Sequence, residues 1–325
     1  MQAAPTRSPG DGRAAVWTMK GKTVLFTGAS RGMGRFAAVE LARHGAKILV
    51  VGHSHARGSA AVEAIRENGG SAEFLHADMG DADDVSALAE ALLRQPGSID
   101  VLIHSAGGLQ PSAARTREGV DRGFAQNFLG AFLLTRLLED RLLASAPARL
   151  IAVGSSTHRF VKKADLDRFL QPLERRMSSF QKGSNQMESY QMAKFAVTTW
   201  IYGLARRWLG RGVTANLLDP RIVKGEFGAE LESPIRLFFR VASLFADPIE
   251  RASEQYVRLA ADPTLTNVSG MYFVSGKEKP EGSSPLSLDP DVQQRINGAA
   301  EAWAASFLQR PPVLPHGGDV DDEHD

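Results

Sequence analysis

The sequence predicts a single α/β domain built on a doubly wound parallel sheet of seven strands, with helices on both faces. Short apolar, β-branched segments alternate with longer segments of helical periodicity, and this order produces parallel strands joined by right-handed crossovers. The predicted strands are continuously apolar at their centres, which is typical of strands buried on both faces of a sheet.

The two kinds of segment also give the order of the elements. The seven predicted strands are 22–28, 46–52, 72–78, 99–107, 149–156, 213–220 and 270–276. The helices predicted between them are 36–44, 60–67, 85–93, 124–143 and 189–209. Gly45 follows the first helix as a stop signal, and Asp84 is a possible N-cap of the third.

Composition excludes several classes of function. The formal net charge of +1 gives no reason to expect nucleic acid as a partner. The chain has no cysteine, which excludes disulfides, thiolate metal sites and a cysteine nucleophile, and no metal site is predicted. No segment approaches the ~20 apolar residues of a membrane span. We therefore expect a cytoplasmic protein without a membrane span.

The two ends of the chain differ in composition from the rest. Residues 1–19 contain Pro, Gly and Arg without a continuous apolar run, and are predicted to be a flexible arm rather than a signal peptide. Residues 309–325 are rich in Pro and Gly and then acidic, which predicts a disordered tail. The α/β domain is therefore predicted to span residues 20–308.

A glycine-rich turn, TGASRGMG at 27–34, lies between the first predicted strand and the first predicted helix. Gly28, Gly32 and Gly34 can adopt tight or positive-φ geometry and allow a ligand close to the backbone. The following helix presents free N–H groups and the positive end of its dipole to an anion. After a buried strand and before a helix, this turn predicts a dinucleotide pyrophosphate site.

With its T-G-x-x-x-G-x-G spacing, the turn resembles the cofactor loop of the short-chain dehydrogenase/reductase family. The resemblance extends from about residue 20 to about residue 276 and includes further landmarks in family order. These landmarks are Asp78-Met79, HSAG at 104–107, Asn127 in QNFLGAF, Ser155 in VGSS and YQMAK at 190–194. The resemblance implies a Rossmann-type fold, a nicotinamide cofactor and oxidoreductase activity.

The cofactor implied by the resemblance is NADP(H). NAD-specific sites usually place an acidic residue after the second strand, where this chain has VVGHSHARG without Asp or Glu. Arg31 matches the position that NADP-specific family members use for the 2′-phosphate, and His53 and Ser54 could add hydrogen bonds. The residues predicted to bind the cofactor are Gly28, Ser30, Arg31, Gly32, Met33, Gly34, His53, Ser54, Asp78, Met79, Ser105, Ala106, Gly107, Tyr190, Lys194, Pro220, Ile222 and Val223.

Catalysis is predicted to depend on Asn127, Ser155, Tyr190 and Lys194. Residues four apart share a helix face, so Tyr190 and Lys194 point into one cleft, where the ammonium should lower the pKa of Tyr190 towards working pH. Tyr190 is then a general acid or base. By the family's mechanism, Ser155 hydrogen-bonds the substrate oxygen, Lys194 holds the nicotinamide ribose, and Asn127 positions a water that relays protons.

The serine and its neighbours leave alternatives open. Aligned on His158, the segment VGSSTH places Ser155 in the catalytic position and leaves Ser156 as the fallback. His158 itself is interpreted as a residue of a loop or a pocket wall.

The chain departs from the common family pattern in three places. His104-Ser105 replaces a pair of asparagines, and Pro220-Arg221 replaces Pro-Gly, so the backbone at that turn is expected to differ. Ser155 and Tyr190 are separated by a long polar stretch at 159–188, which is interpreted as too polar for the core and as lying over one side of the active site.

The substrate is predicted to be a bulky apolar ketone or secondary alcohol. Residues 222–250 correspond to the family's substrate lid, and within them an apolar stripe has helical spacing: Ile235, Leu237, Phe238, Val241, Leu244 and Phe245. The length and the ending GMYFVSG resemble the retinol dehydrogenase-like branch of the family. An alternative is that the stripe packs on the core or on a second subunit.

Other functions on the same fold stay open at this point. An epimerase or a C=C reductase would use the same cofactor site, and a non-catalytic NADP-binding sensor would use the site without the chemistry. The two long predicted helices are apolar enough to form subunit contacts, and family members commonly assemble through them, so a homodimer or homotetramer is expected.

Overall fold

The protein is described from a computed structural model that covers residues 17–110, 114–174, 186–221, 223, 246–275, 277–279 and 282–309. Its centre is an eight-stranded sheet with the strand order β3-β2-β1-β4-β5-β6-β7-β8. The strands are β1 Thr23–Thr27, β2 Lys47–Gly52, β3 Ser71–His76, β4 Val101–His104, β5 Ala148–Val153, β6 Val213–Asp219, β7 Tyr272–Val274 and β8 Lys277–Glu278.

Helices connect the strands and cover both faces of the sheet. They are α1 Gly32–Arg43, α2 His55–Glu67, α3 Ala82–Arg94, α4 Arg122–Phe124, α5 Gly130–Leu137, α6 Glu139–Ala144, α7 Lys163–Glu174, α8 Gln186–Arg207, α9 Ile249–Ala261, α10 Pro285–Leu288 and α11 Pro290–Leu308. A π-helical turn, Ala125–Leu129, joins α4 to α5, and 3₁₀ turns occupy Ser156–Phe160 and Pro263–Leu265.

The predicted fold class is confirmed, with one strand more than predicted. Strands β1 to β7 pair in parallel, whereas β8 pairs antiparallel with β7. Strand β8 was missed because it has only two residues, both charged and exposed. The strand order reverses direction between β1 and β4, and in such sheets ligands bind beyond the carboxyl ends of the strands at this point.

Alternate residues of each central strand enter two different apolar cores, one on each face of the sheet. Leu25 joins the core that contains α3, α5, α8 and α11, and its neighbour Phe26 joins the core formed with α1, α2 and α9. Both side chains are fully buried. Burial on both faces explains why the central strands are continuously apolar, because the middle positions of these strands do not face water.

The segment predicted as one helix at 124–143 is divided into four pieces. The π-helical turn interrupts it at Ala125–Leu129, and the helix is interrupted a second time at Leu138, between α5 and α6. Gly130 follows the turn, and a Cβ at this position would lie 1.9 Å from the carbonyl oxygen of Met79. The helix therefore lies directly against the loop that follows β3. A π-helical turn contains one residue more than an α-helical turn, and the apolar periodicity of the sequence does not reveal this insertion.

The predicted boundary of the N-terminal arm is a few residues late. Trp17 and Met19 are buried, and the indole Nε1 of Trp17 donates to the carbonyl oxygen of Ala260 at 2.8 Å. The guanidinium of Arg149 stacks on the same indole at 4.0 Å from the ring centroid. This end of the arm belongs to the core, because contacts distant in sequence bury it. The remaining arm and the tail from residue 310 lie outside the described residues.

Part of the stretch at 159–188 is core, contrary to the sequence interpretation. Helix α7 packs against α11, and Leu166 and Leu170 are buried in the main core. The stretch is polar on average, but one face of α7 is apolar, and a mean composition conceals such a face. Residues 175–185 lie outside the described residues.

Helix α11 covers the helices that were expected to form subunit contacts. It packs on α8 and α5, where Arg136 binds Glu301 at 2.7 Å and Arg206 hydrogen-bonds Gln293. Trp200 and Phe132 are accordingly buried within the chain. The expected homodimer or homotetramer stays a prediction, but these apolar faces no longer argue for it. Within the described part of the chain, no helix has the length and apolarity to cross a bilayer.

Candidate active site

The glycine turn forms a close-fitting cradle at the carboxyl ends of β1 and β4. A Cβ on Gly28 would lie 2.7 Å from the amide nitrogen of Ala106, and one on Gly34 would lie 2.4 Å from the carbonyl oxygen of Gly28. The hydroxyl oxygen of Thr27 accepts from the amides of Ser105 and Ala106 at 3.2 and 3.3 Å. The cradle is therefore fixed by backbone contacts that admit only glycine at these positions.

The N-terminus of α1 is prepared for an anion. Its N-cap residue, Arg31, makes no side-chain cap hydrogen bond, whereas Ser54 caps α2 and Asp81 caps α3. The first-turn amides of α1 are thus without the side-chain partner that ordinarily satisfies them. Placed after a glycine turn, these amides fit the pyrophosphate of a dinucleotide.

The end of β2 carries no carboxylate, as the sequence predicted. Ser30 lies against this end, since a Cβ on Gly52 would be 3.0 Å from its hydroxyl oxygen. His53 lies beside Arg57, with 3.3 Å between its Nε2 and the guanidinium. Both side chains are exposed, as is Arg31. This edge presents cationic and hydrogen-bonding groups.

Asp78 and Met79 follow β3 and contact the segment that leads to the π-helical turn. The Asp78 carboxylate accepts from the amide of Gly80 at 2.8 Å and pairs with Arg122. Arg122 is therefore paired with a side chain that the sequence predicts to bind the cofactor. Sequence reasoning missed Arg122, because it lies 44 positions away and no local motif marks it.

The loop after β4 is held by two residues from distant elements. Ser105 shares a hydrogen bond of 2.8 Å with the hydroxyl of Tyr256 on α9. Tyr256 is fully buried, and burial raises its pKa to about 12, so it stays protonated and able to donate. Sequence reasoning predicted that Ser105 keeps a hydrogen-bonding role but missed its partner.

Asn127 holds the next part of this loop, at Gly107 and Gly108, in place. Its Oδ1 accepts from the amide of Gly108 at 3.0 Å, and its Nδ2 donates to the carbonyl oxygens of Gly108 and Gly123, each at 2.8 Å. A Cβ on Gly107 would lie 2.3 Å from the same Oδ1. The side-chain amide of Asn127 is thus engaged with backbone, and its role in a proton relay through water stays a prediction.

Ser155, Tyr190 and Lys194 converge beyond the ends of β5 and β6. The hydroxyl of Tyr190 is hydrogen-bonded to Ser155, whereas Ser156 is exposed. The Nζ of Lys194 lies 5.5 Å from the centroid of the Tyr190 ring and donates to the carbonyl oxygen of Val153 at 2.9 Å. The structure thus brings together three of the four residues predicted to be catalytic and favours Ser155 over Ser156.

The ionisation of this pair differs from the sequence prediction. Burial raises the pKa of Tyr190 far above its usual range, against the hydrogen bond from Ser155 that lowers it, and the charge of Asp219 raises it further. Burial lowers the pKa of Lys194 to about 8, although Asp219 acts in the opposite direction. The protein alone therefore does not lower the pKa of Tyr190, because burial has the largest effect on it.

His158 has a structural role that agrees with its interpretation as a loop residue. Its Nδ1 lies 2.6 Å from the carbonyl oxygen of Ser155, and its Nε2 accepts from the amide of Ser284 at 3.2 Å. This arrangement requires a neutral ring that donates from Nδ1, and burial lowers the pKa of His158 accordingly. His158 thus fixes the backbone of the serine loop against the segment that precedes α10.

The turn after β6 keeps a glycine-like backbone in spite of its arginine. Arg221 has φ +63°, in the left-handed region that favours glycine, and the expected difference from the family's backbone at this turn stays a prediction. Its amide donates to the Oδ1 of Asp219 at 2.8 Å, which supports the left-handed conformation. Val223 forms a bridge with Asp247, so the ends of the predicted lid lie side by side. Ile222, residues 224–245 and the apolar stripe lie outside the described residues.

Comparison with known proteins agrees with this geometry. Residues 22–163 match the family model described as short chain dehydrogenase. Retinol dehydrogenase 14 of Mus musculus is 32% identical over 296 residues, which cover 86% of this chain and 84% of the relative. The chain belongs to the short-chain dehydrogenase/reductase family. Dehydrogenase/reductase SDR family member 13 of Bos taurus is 35% identical over 312 residues, 95% of this chain and 78% of that protein.

Solved structures of the family share the fold. A proposed NAD(P)-dependent gluconate 5-dehydrogenase from Beutenbergia cavernae, solved with NADP at low occupancy, superposes with a TM-score of 0.63 at 25% identity. The superposition covers 80% of this chain and 97% of that one. With the retinol dehydrogenases among its relatives, the chain falls within the branch of the short-chain dehydrogenase/reductase family that the sequence indicated.

Proposed function

We propose that this protein is an NADP(H)-dependent oxidoreductase that transfers hydride between the nicotinamide and a bulky apolar ketone or secondary alcohol. The observation that carries the proposal is the convergence of Tyr190, its hydrogen-bond partner Ser155 and Lys194, at the carboxyl ends of the strands next to the glycine cradle. Its family relatives include proteins named retinol dehydrogenase, which supports an apolar alcohol or carbonyl as the substrate class.

The chain's own residues divide the chemistry between them. The bound nicotinamide would supply or accept the hydride. Ser155 orients the substrate oxygen, and Tyr190 donates a proton to that oxygen on reduction or removes one on oxidation. Because burial and Asp219 raise the pKa of Tyr190, the phenol is protonated at neutral pH. A protonated Tyr190 can serve as the proton donor that reduction requires.

The preference for NADP(H) is supported by the edge at the end of β2. Arg31, His53 and Arg57 are exposed there, and no carboxylate occupies the position that would repel a 2′-phosphate. A guanidinium and a phosphate form strong charge-assisted hydrogen bonds, whereas the 2′-hydroxyl of NADH offers no charge.

The test is a fluorescence titration with NADPH and NADH, followed by NADPH oxidation against a panel of bulky ketones. We expect NADPH to bind more tightly than NADH and at least one ketone to be reduced. Tyr190→Phe should retain NADPH binding and lose turnover. Binding of neither cofactor would refute the cofactor assignment, and binding without turnover on any ketone would refute the reaction.

A further inference from the structure

The residue before the turn at Pro220 is a buried carboxylate. Asp219 ends β6 and is 2% exposed. Its Oδ2 accepts from the hydroxyl of Tyr272 on β7 at 2.8 Å, and its Oδ1 accepts from the amide of Arg221 at 2.8 Å. Both oxygens act as acceptors, which is the pattern of an ionised carboxylate.

This charge is neutralised by no ion pair within the described residues. Its two recorded partners are a hydroxyl and a backbone amide, and Lys194 donates instead to the carbonyl oxygen of Val153. Buried charges in proteins are ordinarily paired, because taking a charge out of water is costly. A carboxylate left without a cation in contact therefore acts over a longer range on other groups in the same low-dielectric region.

The groups within that range belong to the candidate active site. Leu217, two positions before Asp219 on β6, joins the core that contains α8, so Asp219 lies on the same face of the sheet as α8. Val153, whose carbonyl oxygen accepts from Lys194, pairs with Leu218, the residue next to Asp219.

The charge of Asp219 acts on Lys194, where it opposes the effect of burial, and on Tyr190, where it adds to that effect. It also acts on His158 in the serine loop. The same carboxylate supports Arg221 in a left-handed conformation that non-glycine residues rarely adopt.

We propose that Asp219 is a positioning residue of this site, whose buried negative charge keeps Lys194 protonated so that Lys194 can hold the cofactor at neutral pH. The proposal rests on the proposed function, since it takes Lys194 as a cofactor-binding residue. It concerns the chain's own Asp219-Pro220-Arg221 sequence, which stands where the family pattern has Pro-Gly after β6.

The other ionisable groups around Asp219 change charge outside the range in which Lys194 does. Tyr272 on β7 and Tyr190 on α8, on which the charge of Asp219 acts, have raised pKa values, caused first by burial. His158, on which it also acts, has a lowered pKa, again caused first by burial. Among these groups in the described part of the chain, Lys194, with a pKa of about 8, is thus the one that titrates between pH 7 and pH 10.

The experiment measures the dissociation constant of NADPH from pH 7 to pH 10 by fluorescence titration, and it requires no turnover. In the unaltered protein, affinity should fall as Lys194 loses its proton. In Asp219→Asn, which is nearly isosteric, the loss of the charge removes the effect that raises the pKa of Lys194. The midpoint of the fall should therefore move to lower pH by roughly one unit.

Two control variants separate charge from structure. Tyr272→Phe removes a hydrogen bond to Asp219 but keeps its charge, so the midpoint should stay where it is in the unaltered protein. Lys194→Met should bind NADPH with an affinity that no longer changes over this pH range. If Asp219→Asn proves unstable, Arg221→Gly is compared with the double variant that carries both Asp219→Asn and Arg221→Gly. Glycine adopts the positive φ without a hydrogen bond to Asp219.

The outcomes distinguish this proposal from the proposed function. A lower midpoint in Asp219→Asn with an unchanged midpoint in Tyr272→Phe supports it. The same midpoint in Asp219→Asn and the unaltered protein overturns it, as does an affinity that shows no dependence on Lys194. Failure of every variant and of the unaltered protein to bind NADPH at any pH would instead refute the cofactor assignment.

Discussion

Replacing Gly34 with alanine tests the cradle directly. The added Cβ would lie 2.4 Å from the carbonyl oxygen of Gly28, well inside van der Waals contact, and backbone cannot rotate out of the way as a side chain can. Overpacking of this kind costs about 1–3 kcal/mol. Because the displaced carbonyl belongs to the turn that would bind the pyrophosphate, the dissociation constant of NADPH should rise at least tenfold.

Gly32→Ala is the matched control for Gly34→Ala. A Cβ at Gly32 meets nothing within 4 Å, and the cost there comes only from φ +55°, or about 1 kcal/mol. Thermal unfolding should show a loss of about 2–4 °C per kcal/mol of destabilisation, with the larger loss in Gly34→Ala. A Gly34→Ala protein with the NADPH affinity and melting temperature of the unaltered chain would refute the close approach of Gly34 and Gly28.

Three further predictions concern catalysis and stability. Tyr190→Phe should reduce ketone turnover by about 10²–10⁴-fold while the dissociation constant of NADPH changes less than about threefold. Arg149→Lys should lower the free energy of unfolding by about 2–4 kcal/mol in urea titrations, because a lysine cannot donate to the carbonyl oxygens of both Leu259 and Asp262. As the control, Arg211→Lys at an exposed position should change the free energy of unfolding by less than about 0.5 kcal/mol. Burial raises the pKa of Asp100, but the hydrogen bonds from Lys22 and neighbouring groups outweigh burial and leave that pKa lowered. The stability that Asp100 gives to the folded protein is therefore present above pH ~4 and is lost as the pH falls through the pKa of the folded state. Asp100→Asn should accordingly lower the melting temperature at pH 7 and have little effect near pH 2.

The parts of the fold that depend on local sequence could be predicted. Strands such as Val213–Asp219 are buried on both faces, so their apolar character is visible in the sequence. The interruption at Ala125–Leu129 could not be predicted, because one inserted residue changes the hydrogen bonding without changing the apolar pattern. The burial of Trp17 depends on partners more than one hundred residues away.

In the candidate site, too, features set by local sequence could be predicted and features set by distant contacts could not. Tyr190 and Lys194 are one helical turn apart, so their shared face follows from their spacing. Tyr256 and Arg122 reach the cofactor loops from other elements, and nothing in their local sequence marks them. The pKa of Tyr190 was predicted in the wrong direction because the spacing shows the cation and not the burial. Asp219 precedes Pro220-Arg221, which the sequence shows as a departure from the family's Pro-Gly, but only the structure reveals that Asp219 is buried.

The position of α11 has a consequence for how the chain folds as it is synthesised. The core that contains Leu25 also contains Ile296 and Phe307, so this core draws on residues from near both ends of the described chain. A chain that leaves the ribosome in order can pair β1 with β2 early. Its main core, however, can close only after the helix Pro290–Leu308 has emerged. Until then, the apolar surface of α5 and α8 that α11 covers stays exposed to water.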